Sequence, residues 1–342
     1  MTKKRIAVIG LGMASTPHAK SLLDFGDRVE VAACYSPTAA RRQAFADLWG
    51  LPVVPDLDPI FGDGSIDAVM VLTPPNSHAE LVERAAKAGK HVLLEKPLEI
   101  STERARRMVE TAENAGVKLG VVLQQRFRPI SVRLASLIAE GRLGELVGAS
   151  ARLSNWRPQS YYDQPGRGTK ARDGGGVLLT QGIHTLDLLI SFAGLPEEVT
   201  AYAVTSKVHH METEDMAAGA IRFANGAIGT INATTCAYPG FPDAIELIGT
   251  NGTARIEGTA LIAQFHDGSE VRQDDGVLGG GAGADPMAFP HDHHRAVLKD
   301  FLDAIDEDRQ PKVSGREALK VHRLIDALLR SAETGRRETV QD

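Results

Sequence analysis

Lys96 stands in Glu95-Lys96-Pro97, directly after the apolar run His91 to Leu94. A lysine at the carboxyl end of a strand, pinned by proline, is well placed for chemistry; a surface pair with Glu95 is the alternative. A histidine able to move a proton, His184, follows Asp173-Gly174-Gly175-Gly176 on a segment that also carries Gln181 and Asp187. His184 and Asp187 are three apart, so they share a helix face. The glycine run could bring backbone close to a ligand, which raises the functional reading of His184 above a structural one. Between these lies Asn155 to Lys170, polar and aromatic, with Trp156, Arg157, Tyr161, Tyr162 and Arg167. That composition suits a polyhydroxylated or anionic ligand, although a plain surface loop has the same look.

A second group of residues points to a nucleotide. Ile6 to Ile9 is an apolar run of strand length, and Gly10-x-Gly12 follows at once, with Ser15 in the third position of the fingerprint. Gly10 permits the tight turn; Gly12, with Met13 and Ala14 beside it, lets a pyrophosphate approach a helix N-terminus. A dinucleotide unit for NAD normally carries Asp or Glu at the end of the second strand. Here Val29 to Cys34 ends in Tyr35 and Ser36, with Arg41 and Arg42 beyond. A missing carboxylate with Ser and Arg nearby suits a 2′-phosphate, so NADP is favoured slightly over NAD; the bland alternative is a solvated helix face. Thr73-Pro74-Pro75-Asn76-Ser77-His78 closes the run Ala68 to Leu72, at the strand edge where open parallel sheets bind ligands. Thr73, Pro74, Asn76 and His78 therefore join Glu95 and Lys96 as candidate cofactor contacts.

These residues need an alternating frame of strands and helices. Helices are expected over Ala79 to Ala88 and from Ser101, as cap, to Ala115, with a strand over Val117 to Leu123. That is a Rossmann doubly wound parallel sheet over residues 1–124. Residues 125–342 change rhythm: a helix Pro129 to Glu140, a strand Val147 to Leu153, one helix Val177 to Phe192, then strands Val199–Val204, Met216–Phe223, Ala227–Ala233, Ala244–Gly249 and Ala254–Glu257. Asn225-Gly226 is a hairpin turn. Strands without intervening helices imply an open, mostly antiparallel sheet in a substrate-binding α/β domain, its free face inviting a homodimer or homotetramer. Gly276 to Pro290 reads as a glycine-rich loop, and helices close the chain over His291–Asp306 and Gly315–Glu333.

Composition sets bounds. A chain of 342 residues suggests two domains, and 43% hydrophobic with 24% charged residues fits a globular protein with a sizeable core. The net charge of −6 argues against a broad nucleic-acid surface. No apolar run approaches membrane-spanning length, so a cytoplasmic location is expected. Cys34 and Cys236, both in apolar strand-like runs, read as reduced, buried thiols. In His291-Asp292-His293-His294, His291 and His294 have a ligand spacing, but no further cluster pairs with them locally. No metal is expected, and His291 is assigned instead to a helix start lining the substrate site.

Gly10-x-Gly12 with His18, Thr73-Pro74-Pro75-x-x-His78, Glu95-Lys96-Pro97, and Gly174-Gly175-Gly176 through His184 to Asp187, taken in this order, resemble the glucose–fructose oxidoreductase, inositol dehydrogenase and rhizopine catabolism (Gfo/Idh/MocA) family across nearly the whole chain. The resemblance implies a nicotinamide-dependent dehydrogenase of sugars, sugar derivatives or cyclitols. It implies that Lys96 and His184 face the nicotinamide as catalytic pair. Many members carry an aspartate four residues before that histidine; this chain has Thr180, so the usual trio is incomplete. Sequences with Gln-Gly-Ile-His, as at Gln181 to His184, look like a subgroup that manages with lysine and histidine, and the missing role is not transferred to Asp187. Thr180, Gln181 and His184 are then expected at the substrate. A hydrolase using NAD for transient oxidation and a non-enzymatic dinucleotide-binding regulator are the alternatives; retention of Lys96 and His184 argues against the second.

Overall fold

The computed structural model describes residues 3–276 and 290–340. The strands of a six-stranded parallel sheet are β1 (Lys4–Ile9), β2 (Val29–Tyr35), β3 (Val53–Val54), β4 (Ala68–Val71), β5 (His91–Leu94) and β6 (Leu119–Val121), in the order β3-β2-β1-β4-β5-β6. The central strands read as continuous apolar runs because both faces are covered: every residue of β4, and all of β1 from Ile6 on, is buried. The crossovers are α1 (Ser15–Asp24), α2 (Ala39–Trp49), α3 (Asp58–Gly62), α4 (His78–Lys87) and α5 (Thr102–Asn114). Ser101 caps α5 as expected, its Oγ accepting from the Arg104 amide. The register aligns the carboxyl ends in one row: Ile9 lies beside Tyr35 and Val71, Val71 beside Leu94, and Leu94 beside Val121. The residues that follow each strand therefore share one sheet edge.

The second sheet has nine strands, mostly antiparallel. They are β7 (Leu146–Trp156), β8 (Glu198–Val204), β9 (Met216–Arg222), β10 (Ile228–Thr234), β11 (Cys236–Gly249), β12 (Gly252–Glu257), β13 (Ala260–Phe265), β14 (Glu270–Asp274) and β15 (Glu338–Thr339). Their order is β14-β13-β12-β11-β7-β10-β9-β8-β15, with β7 and β10 the parallel neighbours. The Asn225-Gly226 hairpin forms as expected; Gly226 takes a φ of 87° and the Asn225 side chain accepts from the Ala227 amide. The short strands β3 and β15, the apolar β13 and the polar β14 are not among the strands expected from the sequence. The pairing partners, not their own patterning, make strands of β3, β14 and β15.

Further helices are α6 (Pro129–Ala139), α7 (Gln159–Tyr162), α8 (Lys170–Asp173), α9 (Val177–Thr180), α10 (Ile183–Ala193), α11 (Asp292–Asp306) and α12 (Gly315–Thr334). The chain forms two compact units: residues 3–124 with 290–319, and residues 125–276 with 320–340. Among the described residues no single helix is long and apolar enough to cross a membrane. The expected loop Gly276 to Pro290 lies, over residues 277–289, outside the described residues. One expectation is corrected: Val177 to Phe192 is not one helix. It breaks at Gln181-Gly182 into α9 and α10, and the Gly182 amide reaches back to the Val177 carbonyl at 2.7 Å. Gly182 is packed so closely on the preceding turn that a Cβ there would stand 3.0 Å from that carbonyl oxygen.

Candidate active site

In the first unit the site is built at the carboxyl edge of the parallel sheet. Strand order reverses between β1 and β4, the switch point where such sheets bind ligands. Gly10 leaves β1 with a φ of 106°, its amide bonded to the Tyr35 carbonyl at the end of β2. A Cβ at Gly10 would lie 2.7 Å from the Leu72 carbonyl carbon, so only glycine lets the turn pass β4. Gly12 is different: a Cβ there meets nothing within 4 Å, leaving its backbone open. Ser15 donates to the Gly12 carbonyl at 2.7 Å, which is how serine serves in the third position. No side chain caps α1 and its first turn holds no acidic residue, so its N-terminus is left for an anion. Met13 is exposed and Ala14 half-buried beside it. Turn, open backbone and uncapped helix fit a dinucleotide pyrophosphate.

The flanking loops are fastened to one another. His78 is fully buried, one ring nitrogen 2.8 Å from the Thr73 carbonyl and the other 3.0 Å from that of Pro97. It ties the loop after β4 to the loop after β5, while Pro74 and Asn76 stay exposed. Burial drives the His78 pKa down, against the pull of those carbonyls. Ser36 is buried and its carbonyl accepts from Arg42 at 2.6 Å; Arg41 remains exposed and Tyr35 half-buried.

Glu95 follows β5 and accepts from His18 at 2.8 Å, while its other oxygen accepts from the Lys96 amide at 3.0 Å. Burial alone would raise this carboxyl. The His18 bond, with charge at His18, His294 and Lys96, overcomes it and holds Glu95 at about 2. His294, on α11, meets His18 edge to face at 5.1 Å between ring centres, and burial takes it down to about 3. His18, Glu95 and His294 each offer a donor atom within 4.8 Å of the others. Local spacing relates His294 only to His291; the fold instead brings it to His18 and Glu95. His291, expected at the substrate, bonds Asp24 at the end of α1 at 2.8 Å.

The second unit positions His184 in the first turn of α10, half-buried. At the end of the glycine run, the close neighbour of Gly176 is a protein carboxylate. Glu214 accepts from the amides of Gly176 and Leu178 at 3.0 and 3.1 Å, and the Val177 amide bonds its carbonyl. Burial pushes the Glu214 carboxyl up even so. Thr180 Oγ1 reaches the Gly176 carbonyl at 2.7 Å and also lies beside Gln181 Oε1. Asp187 is held by a buried, two-pronged bond from Arg126, at 2.8 and 2.6 Å, so it is committed to that arginine. Beside His184, Thr185 donates to Asp243 on β11 at 2.5 Å. Burial raises Asp243 to about 6, although the Thr185 bond and the charges of Arg128, Arg157 and Arg152 pull it down.

The aromatic stretch divides. Tyr161 and Arg167 stay half-buried, with Arg167 donating to the Tyr161 hydroxyl at 2.8 Å. Trp156, at the end of β7, packs edge-on against Tyr238. Tyr162 turns inward: it is buried, its hydroxyl 2.9 Å from Thr235 Oγ1, its pKa pushed up to about 12 by burial. Cys34 is buried and its thiol pushed up to about 12, as expected. Cys236, expected buried, is a free thiol that is only half-buried, beside Ser206 and the buried pair His209–Asp215. Glu214, Asp243 and His209 had no signal in the sequence, since none lies in a local motif.

Comparison with known proteins follows this geometry. Residues 4–123 match the model described as "Oxidoreductase family, NAD-binding Rossmann fold", and residues 131–255 match the GFO/IDH/MocA C-terminal domain. The chain is 30% identical over 325 residues to 1,5-anhydro-D-fructose reductase of Ensifer adhaerens, covering 91% of each. It is 28% identical to D-xylose 1-dehydrogenase (NADP(+)) 2 of Haloferax volcanii, covering 90% of each. Among solved structures it resembles the WlbA dehydrogenase from Bordetella pertussis in complex with NADH and UDP-GlcNAcA, with a TM-score of 0.85, 30% identity and 100% of both chains covered. A glycine turn at a Rossmann switch point and a nine-stranded second sheet, matched by both family models and by relatives along nearly their full length, place this chain in the Gfo/Idh/MocA oxidoreductase family.

Proposed function

We propose that this oxidoreductase acts on a CH–OH carbon of a sugar, sugar derivative or cyclitol, with Lys96 and His184 as its catalytic residues. The observation that carries the reading is the open Gly12 backbone at an uncapped helix N-terminus, on the same strand edge that ends in Lys96. The sugar-directed relatives support the substrate class. A bound nicotinamide supplies the hydride chemistry. His184 takes the hydroxyl proton during oxidation and returns it during reduction; Lys96 hydrogen-bonds the oxygen and stabilises its developing charge. Gly10, Gly12, Met13, Ala14, Thr73, Pro74 and Asn76 would hold the cofactor, with His78 and Glu95 keeping the two loops and Lys96 in place.

For the cofactor, NADP is favoured slightly over NAD. Tyr35 and Ser36 stand where a ribose-binding carboxylate would, Arg41 is exposed beside them, and one relative is named for NADP(+). The WlbA structure holds NADH, so the preference is narrow. The assembly proposed is a homodimer or homotetramer through the outer face of the second sheet.

The test is an absorbance screen of sugars, cyclitols and sugar acids with both cofactors, followed by kinetics of variants on the substrate found. His184→Ala should lower kcat by about 10²–10⁴-fold, and Lys96→Ala by a similar order with weaker substrate binding. Net cofactor reduction should accompany turnover. Near-normal kcat in His184→Ala would refute the assignment, and NADH binding tenfold tighter than NADPH would reverse the cofactor preference.

A further inference from the structure

Arg157 follows β7 and Arg167 lies between α7 and α8, and both set their guanidinium groups over the ring of Tyr161, at 5.7 and 4.6 Å from its centre. The two charges therefore lie within about 10 Å of each other. Their hydrogen bonds go to neutral atoms: Arg157 donates to the Trp156 carbonyl at 2.9 Å, and Arg167 to the Tyr161 hydroxyl at 2.8 Å. The Nε of each is buried and has no hydrogen-bond partner among the described residues. Other arginines of this unit are matched to carboxylates: Arg126 to Asp187, Arg128 to Asp275, Arg152 to Glu257 and Arg172 to Asp173.

Two like charges on one ring, each with a buried Nε that has no hydrogen-bond partner and neither in an ion pair with a carboxylate among the described residues, are costly to hold. An anionic oxygen group would relieve both costs, since a guanidinium matches carboxylate or phosphate oxygens in a fork. The pair also belongs to the His184 region. Arg157 is near enough to Asp243 to act on its charge, and Asp243 accepts from Thr185, the residue after His184.

We propose that Arg157 and Arg167 bind an anionic oxygen group, a carboxylate or a phosphate, carried by the substrate, which is therefore an acidic sugar. This rests on the sugar dehydrogenase reading and narrows it. Tyr161 is the ring that both guanidinium groups share.

Matched series test it: glucose, glucuronate and glucose 6-phosphate, and the same three in the galacto configuration, assayed by cofactor reduction and by calorimetric binding. The anionic member should exceed the neutral one in kcat/KM by at least about tenfold, and Arg157→Gln or Arg167→Gln should each cut that ratio by about 10–100-fold, mostly through KM. Arg167→Lys should restore only part of it, because the charge returns without the fork. Whichever of uronate and phosphate prevails identifies the group. Equal or greater turnover of the neutral sugars, or a ratio unmoved in both Gln variants, would overturn the proposal while leaving the dehydrogenase reading intact. If no sugar of either kind reduces the cofactor, that reading fails instead. Calorimetry then decides the anion site: glucuronate or glucose 6-phosphate binding that is lost in the double Gln variant supports it, and no anion binding by the unaltered protein overturns it.

Discussion

Asp243 and Glu95 show how much a carboxyl depends on what stands next to it. Both are drawn into the protein, and burial pushes both upward. Glu95 has His18 at hydrogen-bond distance and stays ionised; Asp243 has one hydroxyl, and arginine charges too weak at their distance, and rises to about 6. The raised value has a definite sign. Between the ordinary aspartate pKa near 4 and about 6, the folded chain holds this proton more tightly than the unfolded chain. The Asp243 contribution to stability is thus greatest below about pH 4 and is lost as pH rises to about 6. Asp243→Asn keeps an acceptor for Thr185 and removes the titration. Its melting temperature relative to the unaltered protein should climb by several degrees between pH 4 and 6.5, at about 2–4 °C per kcal/mol. A difference that stays flat across that range, followed by calorimetry, would show that Asp243 titrates normally.

At the level of elements, two glycines that look alike in the sequence do opposite work. A Cβ at Gly176 would stand 1.8 Å from the Glu214 carbonyl oxygen, a backbone atom that cannot rotate away. Gly176→Ala should displace the turn that leads to α9 and α10, cost about 3 kcal/mol or more in urea denaturation, and lower kcat because His184 rides on α10. Gly12→Ala enters open space, so stability should hold within about 0.5 kcal/mol, while cofactor affinity, read by fluorescence titration, should fall tenfold or more. Unimpaired cofactor binding by Gly12→Ala would remove Gly12 from the site. The break between α9 and α10 belongs here as well. Apolar periodicity runs through Val177 to Phe192 without interruption, and the break at Gln181-Gly182 follows from how tightly Gly182 packs on Val177 and Leu178.

At the scale of the molecule, α10 packs on β7 and β11 and covers one face of the second sheet, while the other face carries exposed apolar residues. On that face Tyr202 is 79% and Ile228 65% exposed, with Val204 and Met216 paired across β8 and β9. These exposed apolar side chains are what the proposed assembly would cover. Light scattering at micromolar concentration should give a dimer or tetramer mass, and Tyr202→Glu combined with Ile228→Arg should shift it toward the monomer. A monomer mass for the unaltered chain would refute the assembly.

What the sequence determined by itself was local. Apolar runs of strand length, the glycine turn after β1, the proline-pinned loops after β4 and β5 and the Asn225-Gly226 hairpin each depend on neighbouring residues, so two sheets of the right kinds could be read off in order. Residue types could nominate Lys96 and His184 by the same logic. Partners could not be read, because pairing depends on strand register and helix packing far along the chain. His18 finds Glu95 77 residues away, Arg126 finds Asp187 across 61, and Thr185 finds Asp243 across 58. Only the tertiary structure decided that the Gly176 and Leu178 amides hold Glu214 and that Tyr162 faces the interior. It also decided that Arg157 and Arg167 share one tyrosine, since that requires the end of β7 and a loop beyond α7 to meet over a single ring.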